Sequence, residues 1–310
     1  MQGLGTINNE YTILSIKYSE SKRISYLAKH NQTEILRIIE FAKDNHHQDD
    51  FPTNEINLLN VLNNTNNPYI LRYIGNGQGQ LALNGEQPKD VPYIIFENAP
   101  KFILFSYINL RSFSERQAKL IFKKILNGVK AIHNANYCHL DIKPSNILFD
   151  ENYNPKIYGF YFCRLNSNHL VHGMGTKKYM APEILEEKEY DGFKCDIFSL
   201  GQLLFNLVCG LNGFQSAKKH DKYYNLIIEK NYVQYWNSAA FSGLNLSQDF
   251  KDLVVRMLAF DPNERPTIDE ILQSPWMQEI NNQIEAVEQE VSNELQQRDA
   301  ILQHQQQLNA

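Results

Sequence analysis

Residues 139–146 read HLDIKPSN, and no other stretch of this 310-residue chain limits its fold and chemistry so tightly. Asp141 can accept a proton, Lys143 can neutralise an anion, and Asn146 can offer an amide oxygen to a cation. The three polar groups fall within residues 141–146, so one loop carries all of them. Such a loop needs a scaffold that can bury its flanks, and a 43% hydrophobic content supplies one.

The chain changes character at Pro100. Before it come the short strand-like runs YTILSI, ISYLAKH and EILRII. A helix follows at about 53–64, with Ile56, Leu59 and Leu62 on one face. Two more strand-like runs, YILRYIG and VPYIIFE, enclose a turn-rich segment, and GNGQG at 75–79 reads as a loop. After Pro100 the pattern is helical: Ala118, Ile121, Phe122, Ile125, Val129 and Ile132 form one stripe, with Ser114 or Ser112 as N-cap. Further helices are expected at 194–209, 248–259 and 267–274. The fold class is therefore α+β: a tail over 1–10, a β-rich lobe with one helix over 11–97, a larger helical lobe over 98–277, and a Gln-rich helical extension over 278–310. In that extension Ile280, Ile284, Val287 and Val291 follow 4-3-4 spacing before the register is lost. This is too short for a coiled coil alone; the segment either docks back on the body or meets a partner.

A net charge of −5 with no basic block excludes a nucleic-acid or membrane-surface protein. Cys138, Cys163, Cys195 and Cys209 form no C-x-x-C pair, which fits reduced thiols. The opening MQGLGTINNEYTIL has no basic-then-apolar pattern of a secretory signal. The apolar stretch 197–214 is broken by Ser199, Gln202, Asn206 and Asn212, as in a buried core helix. The expectation is a soluble intracellular protein, cytoplasmic or cytoskeleton-associated, without membrane insertion. The run NHHQDD at 45–50 reads as a solvated loop before the helix rather than a metal site.

With His139, Asp141, Lys143 and Asn146 in the pattern H-x-D-x-K-x-x-N, the chain resembles the eukaryotic protein-kinase family, Ser/Thr branch, from about Tyr11 to Trp276. GTKKYMAPE at 175–183 matches the end of that family's activation segment, with Thr176 where a threonine steadies the catalytic loop. CDIFSLG supplies Asp196 as the loop's anchor, and DPNERPT supplies Arg265, the partner implied for Glu183. The resemblance implies a bilobal fold and transfer of a phosphoryl group from ATP to a protein hydroxyl, with Asp141 as base.

The same resemblance exposes what has changed. The metal-holding aspartate is due thirteen residues after Asn146, where Gly159 stands, and no acid lies between Glu151 and Glu183. Magnesium requires hard oxygen ligands, and glycine has none. No glycine occurs from Thr6 to Ile74, so the glycine-rich lid over the phosphates is missing. The phosphate-binding lysine aligns with Arg37, which would pair with Glu55 of the first helix. Leu140 replaces the arginine of H-R-D, and Ile103 replaces the acid beyond the hinge, where Phe96 and Glu97 border a degenerate nucleotide pocket. Leu59, His139 and Phe160 keep the family's apolar column. Tyr158, Tyr161 and Phe162 either fill the pocket or simply pack.

Three readings follow. The first is a pseudokinase whose kinase-like surface or C-terminal helix binds protein partners, keeping Asp141, Lys143, Asn146 and Thr176 for the loop's own hydrogen bonds. The second is an unconventional Ser/Thr kinase using Asp141, with another lysine, such as Lys29 on the second strand, reaching the phosphates. The third is a structural component tethered by the extension from Gln278 onward. No resident cofactor or metal is expected; ATP binding without magnesium stays open.

Overall fold

The computed structural model describes residues 3–20, 23–43, 53–166, 170–171, 173–241 and 243–308. The NHHQDD segment lies outside them. The chain divides into two units, 1–66 with 70–100, and 67–69 with 101–310.

In the first unit, β1 (Gly5–Ile7), β2 (Tyr11–Ser19), β3 (Arg23–His30), β4 (Leu36–Ala42), β5 (Tyr73–Leu83) and β6 (Lys89–Glu97) close into a barrel ordered β1-β2-β3-β4-β6-β5. Alternation turns Ile13, Ala28, Ile39 and Phe41 into its core. Within the stretch expected to be a tail, Gly5–Ile7 is therefore a strand of the barrel. Ile7 is fully buried, and β1 pairs with Tyr11–Ile13 of β2 and with Leu81–Leu83 of β5, joining the two ends of the sheet.

The GNGQG run is also not a loop but part of β5. A β-carbon on Gly79 would lie 2.5 Å from the Asn8 side chain and 2.7 Å from the Tyr93 ring, so glycine there makes room for neighbours. Helix α1 (Thr53–Thr65) buries Glu55, Leu58, Leu59 and Leu62; Leu58 takes the place expected for Ile56.

The second unit begins with α2 (Leu104–Leu110) and α3 (Glu115–Asn134). Ser114, not Ser112, caps α3, in a reciprocal box with Gln117, and the expected apolar stripe is buried. The strands β7 (Tyr137–Cys138), β8 (Ile147–Phe149), β9 (Pro155–Ile157) and β10 (Arg164–Leu165) pair as β7 with β10 and β8 with β9. Then come α4 (Pro182–Leu185), α5 (Gly192–Cys209), α6 (Lys222–Ile228), α7 (Tyr232–Trp236), α8 (Gln248–Met257), α9 (Ile268–Leu272), α10 (Pro275–Gln278) and α11 (Ile284–Leu308). Helix α5, the apolar stretch of the sequence, is almost wholly buried, starts at the Asp191 cap and stops at Gly210 with φ 70°. Among the described residues no helix is long and apolar enough to cross a membrane.

Helix α11 docks on α2 and α3. Val287, Val291 and Leu295 are buried, and the stripe continues in charged residues, Arg298 and Asp299, which is why its apolar period fades. Arg298 donates to the carbonyls of Tyr107, Arg111 and Ser112 at 2.7–3.0 Å and lies 3.8 Å over the Phe113 ring. Asp299 accepts from the hydroxyls of Tyr107 and Tyr153.

Candidate active site

The loop between β7 and β8 is hung from α5. Asp196, fully buried, accepts from the amides of His139 and Leu140, both at 2.8 Å, and contacts His133 Nε2 at 2.9 Å. This pins the turn in which Leu140 adopts φ 62°. His139 Nδ1 accepts from the Asp141 amide at 3.2 Å while Nε2 faces the Tyr158 carbonyl at 3.2 Å, which places the ring proton on Nε2. Burial is the main cause holding the His139 imidazole below its ordinary pKa.

Around Asp141 the expected residues converge. Thr176 Oγ1 donates to Asp141 Oδ1 at 2.7 Å and accepts from Lys143 Nζ at 3.0 Å. Lys143 Nζ lies 3.0 Å from Asp141 Oδ2, and Asn146 Nδ2 donates to the Asp141 carbonyl at 2.8 Å and to Oδ2 at 3.0 Å. A carboxylate offers about four acceptor sites. Three are taken here, by Thr176, Lys143 and Asn146, so one remains for an incoming hydroxyl.

Gly159 adjoins this cluster in the left-handed conformation, φ 84° and ψ 51°, at the start of the short turn Phe160–Phe162. Phe160 is buried with its ring 5.1 Å from that of His139. Tyr158 is buried, and Tyr161 packs edge-on against Phe162 at 4.9 Å. A β-carbon on Gly159 would meet Asn146 Cγ at 2.7 Å. Among the described residues no three His, Cys, Asp or Glu side chains gather where a metal could sit. With no acid at 159, and Asn146 offering a neutral amide oxygen rather than a carboxylate, these residues do not fit a magnesium ion.

In the first unit the expected pairing of Arg37 with Glu55 is overturned. Glu55, 1% exposed, accepts from Arg23 Nη2 at 2.8 Å, and Arg23 Nη1 donates to Glu40 Oε1 at 3.0 Å. Ser25 donates to the other Glu40 oxygen at 3.1 Å. The reason is strand parity: Arg37 shares the face of Ile39 and Phe41, whereas Glu40 lies on the opposite face. Arg37 instead donates to the Leu36 carbonyl at 3.2 Å. Lys29 is bound to Glu34 at 2.7 Å. Phe96 is buried edge-on to Tyr73, and the Glu97 carboxylate accepts from the Arg72 amide at 3.1 Å. Sequence reasoning missed Arg23 and Glu40, although an acid inside the apolar run of β4 was the available signal.

The Glu183–Arg265 pair forms below the loop, with two contacts at 2.6 and 2.8 Å. A model of the protein kinase domain matches residues 22–277. Maternal embryonic leucine zipper kinase of Xenopus laevis is 33% identical over 197 residues, 62% of this chain and 29% of that protein. Serine/threonine-protein kinase SIK2 of Gallus gallus is 31% identical over 227 residues, 72% of this chain and 26% of its own length. CBL-interacting protein kinase 16 of Oryza sativa subsp. japonica is 32% identical over 190 residues, 59% of this chain and 40% of its own. The chain thus spans between 26% and 40% of the length of these curated relatives. A family match over that much of the chain, on a strand-rich unit followed by a helical one, makes this chain a member of the protein kinase family.

Proposed function

We propose that this kinase-fold chain works by binding and setting a protein partner, without efficient phosphoryl transfer. Gly159 carries the reading: the position due to hold magnesium has no side-chain oxygen, and Asn146 fills the space a replacement would need. Glu40 supports it, because the first unit's buried charge cluster contains two carboxylates and draws its cation, Arg23, from a neighbouring strand. A preorganised charge partner at a transferring phosphoryl group is worth roughly 10³–10⁵ in rate. Losses of this kind do not add simply. Losing lid, metal acid and lysine together still takes a turnover of ~1–100 s⁻¹ below ready detection.

A second reading has one observation in its favour. Asp141, Lys143 and Thr176 are assembled with an acceptor site to spare, which suits a base awaiting a hydroxyl. Under it a further cation has to reach the phosphates, since Lys29 is held by Glu34 and Arg23 by Glu40 and Glu55. Tethering by the extension has less support, because α11 spends its apolar stripe on the second unit.

The test is a thermal-shift titration of the full chain with ATP, with and without magnesium, beside a labelled-phosphate transfer assay. No magnesium-dependent shift and no transfer is the expected result. Transfer that Asp141→Asn abolishes would overturn the proposal in favour of the second reading.

A further inference from the structure

Helix α11 carries five acids, and four of them meet a cation of the second unit. Glu288 lies 3.1 Å from Lys124, Glu290 3.0 Å from Arg116, Glu294 3.0 Å from Arg111 and Asp299 3.5 Å from Lys101. Glu285 breaks the series: it is exposed and, among the described residues, has no ion-pair partner. It stands on a groove of about 370 Å³ between α3, the turn 150–154 and the first turns of α11. Helix α11 lies beyond residues 22–277, so the family match does not account for this wall.

Leu120 and Val291, both buried, give the groove an apolar floor, and Glu285, Glu288, Gln289 and Ser292 line it from α11. Lys124, the cation of the lining, is already engaged by Glu288 and by Asn154 Oδ1, the latter at 3.0 Å. The groove therefore presents a carboxylate in excess, beside amide and hydroxyl oxygens. Its walls are set before anything binds. Asp150 accepts from the amides of Asn152 and Asn154 at 2.9 and 2.8 Å, and Tyr153 donates to Asp299 at 2.8 Å. A groove held this way loses little freedom on binding. An aliphatic stem suits the floor, and a planar cation with several donors suits the oxygens around it. Arginine combines the two.

We propose that this groove receives an arginine side chain from a basic segment of a protein partner, with its methylenes on Leu120 and Val291 and its guanidinium on Glu285. The proposal rests on the partner-binding reading and names the partner's chemistry. Fluorescence anisotropy on the full chain tests it, using a labelled glycine–serine peptide that carries a pair of arginines. The arginine peptide binds; its citrulline version, alike in shape and uncharged, does not. Glu285→Lys with Gln289→Lys, both at exposed positions outside the buried stripe of α11, weakens the arginine peptide by about tenfold or more. Equal binding of the arginine and citrulline peptides to the parent protein would overturn the groove's assignment without any variant, as would indifference to the charge reversal.

Failure here is distinguishable from failure of the functional reading. Phosphoryl transfer by a chain that still prefers arginine to citrulline leaves the groove assigned and removes the non-catalytic reading. No preference for arginine, with no phosphoryl transfer, does the reverse.

Discussion

Asn146 Cγ lies 2.7 Å from the point where a β-carbon on Gly159 would sit. The glycine is therefore required twice, by its positive φ and by its neighbour. Gly159→Ala should cost ~1–2 kcal/mol for the left-handed backbone and about 1 kcal/mol or more for the overlap. Asn146→Ala should relieve only the second part, so a double-mutant cycle by urea denaturation separates them. Parent-like stability of Gly159→Ala would contradict the geometry. For the same reason Gly159→Asp alone should restore no magnesium-dependent thermal shift.

Arg23 joins three elements: its own strand β3, β4 through Glu40, and α1 through Glu55. Removing one partner of a buried ion cluster leaves uncompensated charge, so Arg23→Met should destabilise by ~3–5 kcal/mol. Arg37→Met, on a half-buried arginine that among the described residues is bonded to a neighbouring carbonyl alone, should stay within ~1 kcal/mol. Guanidinium denaturation of the two variants decides the matter, and equal losses would return Arg37 to the role first expected of it.

The two lobes differ in how openly they could be read from sequence. His139 to Asn146 is one continuous loop, so its four functional residues were visible together, and the burial of α3 followed from a period of 3.6. The cluster at Arg23, Glu40 and Glu55 draws one residue from each of three elements, and nothing local fixes their register. Placing Arg37 opposite Glu55 depended on which face of β4 looks inward, a question that a strand apolar at both parities leaves open. Strand β1 is three residues long, below any periodic signal, and only closure of the barrel gives it a function. In α11 the stripe ends in Arg298 and Asp299, which count as solvent-facing in any hydropathy pattern until their partners are known.

Those partners make α11 part of the second unit. Arg298 donates to the carbonyls of Tyr107 and Arg111 at the end of α2, and it stacks on Phe113. Arg298→Ala should cost ~2–4 kcal/mol through the lost charge-assisted hydrogen bonds and packing. Truncation before Ile284 should cost more, because it uncovers the surface under Val287, Val291 and Leu295 and strands Tyr107 and Tyr153. Dye binding to exposed apolar surface, with a lowered melting temperature, is the expected readout. A truncated chain that melts like the parent would show the helix to be an independent appendage.

His139 supplies a pH dependence of known sign. Its ordinary pKa is 6.5, and burial, the leading cause, lowers it in the folded chain against the opposing pull of Asp196 and Asp141. Below about pH 6.5 the unfolded chain binds a proton that the native ring refuses. The stability tied to this group is therefore complete above the unfolded pKa and is lost as pH falls towards the folded one. The loss approaches ~1.4 kcal/mol per pH unit while only the unfolded form is protonated. His139→Gln removes the titration along with the ring, so the stability gap between parent and variant should narrow on acidification through this window. Urea denaturation of both proteins at neutral and mildly acidic pH measures that gap. A gap that stays constant would mean the ring is charged or solvated in the native loop, and the proton assignment on Nε2 would fall with it.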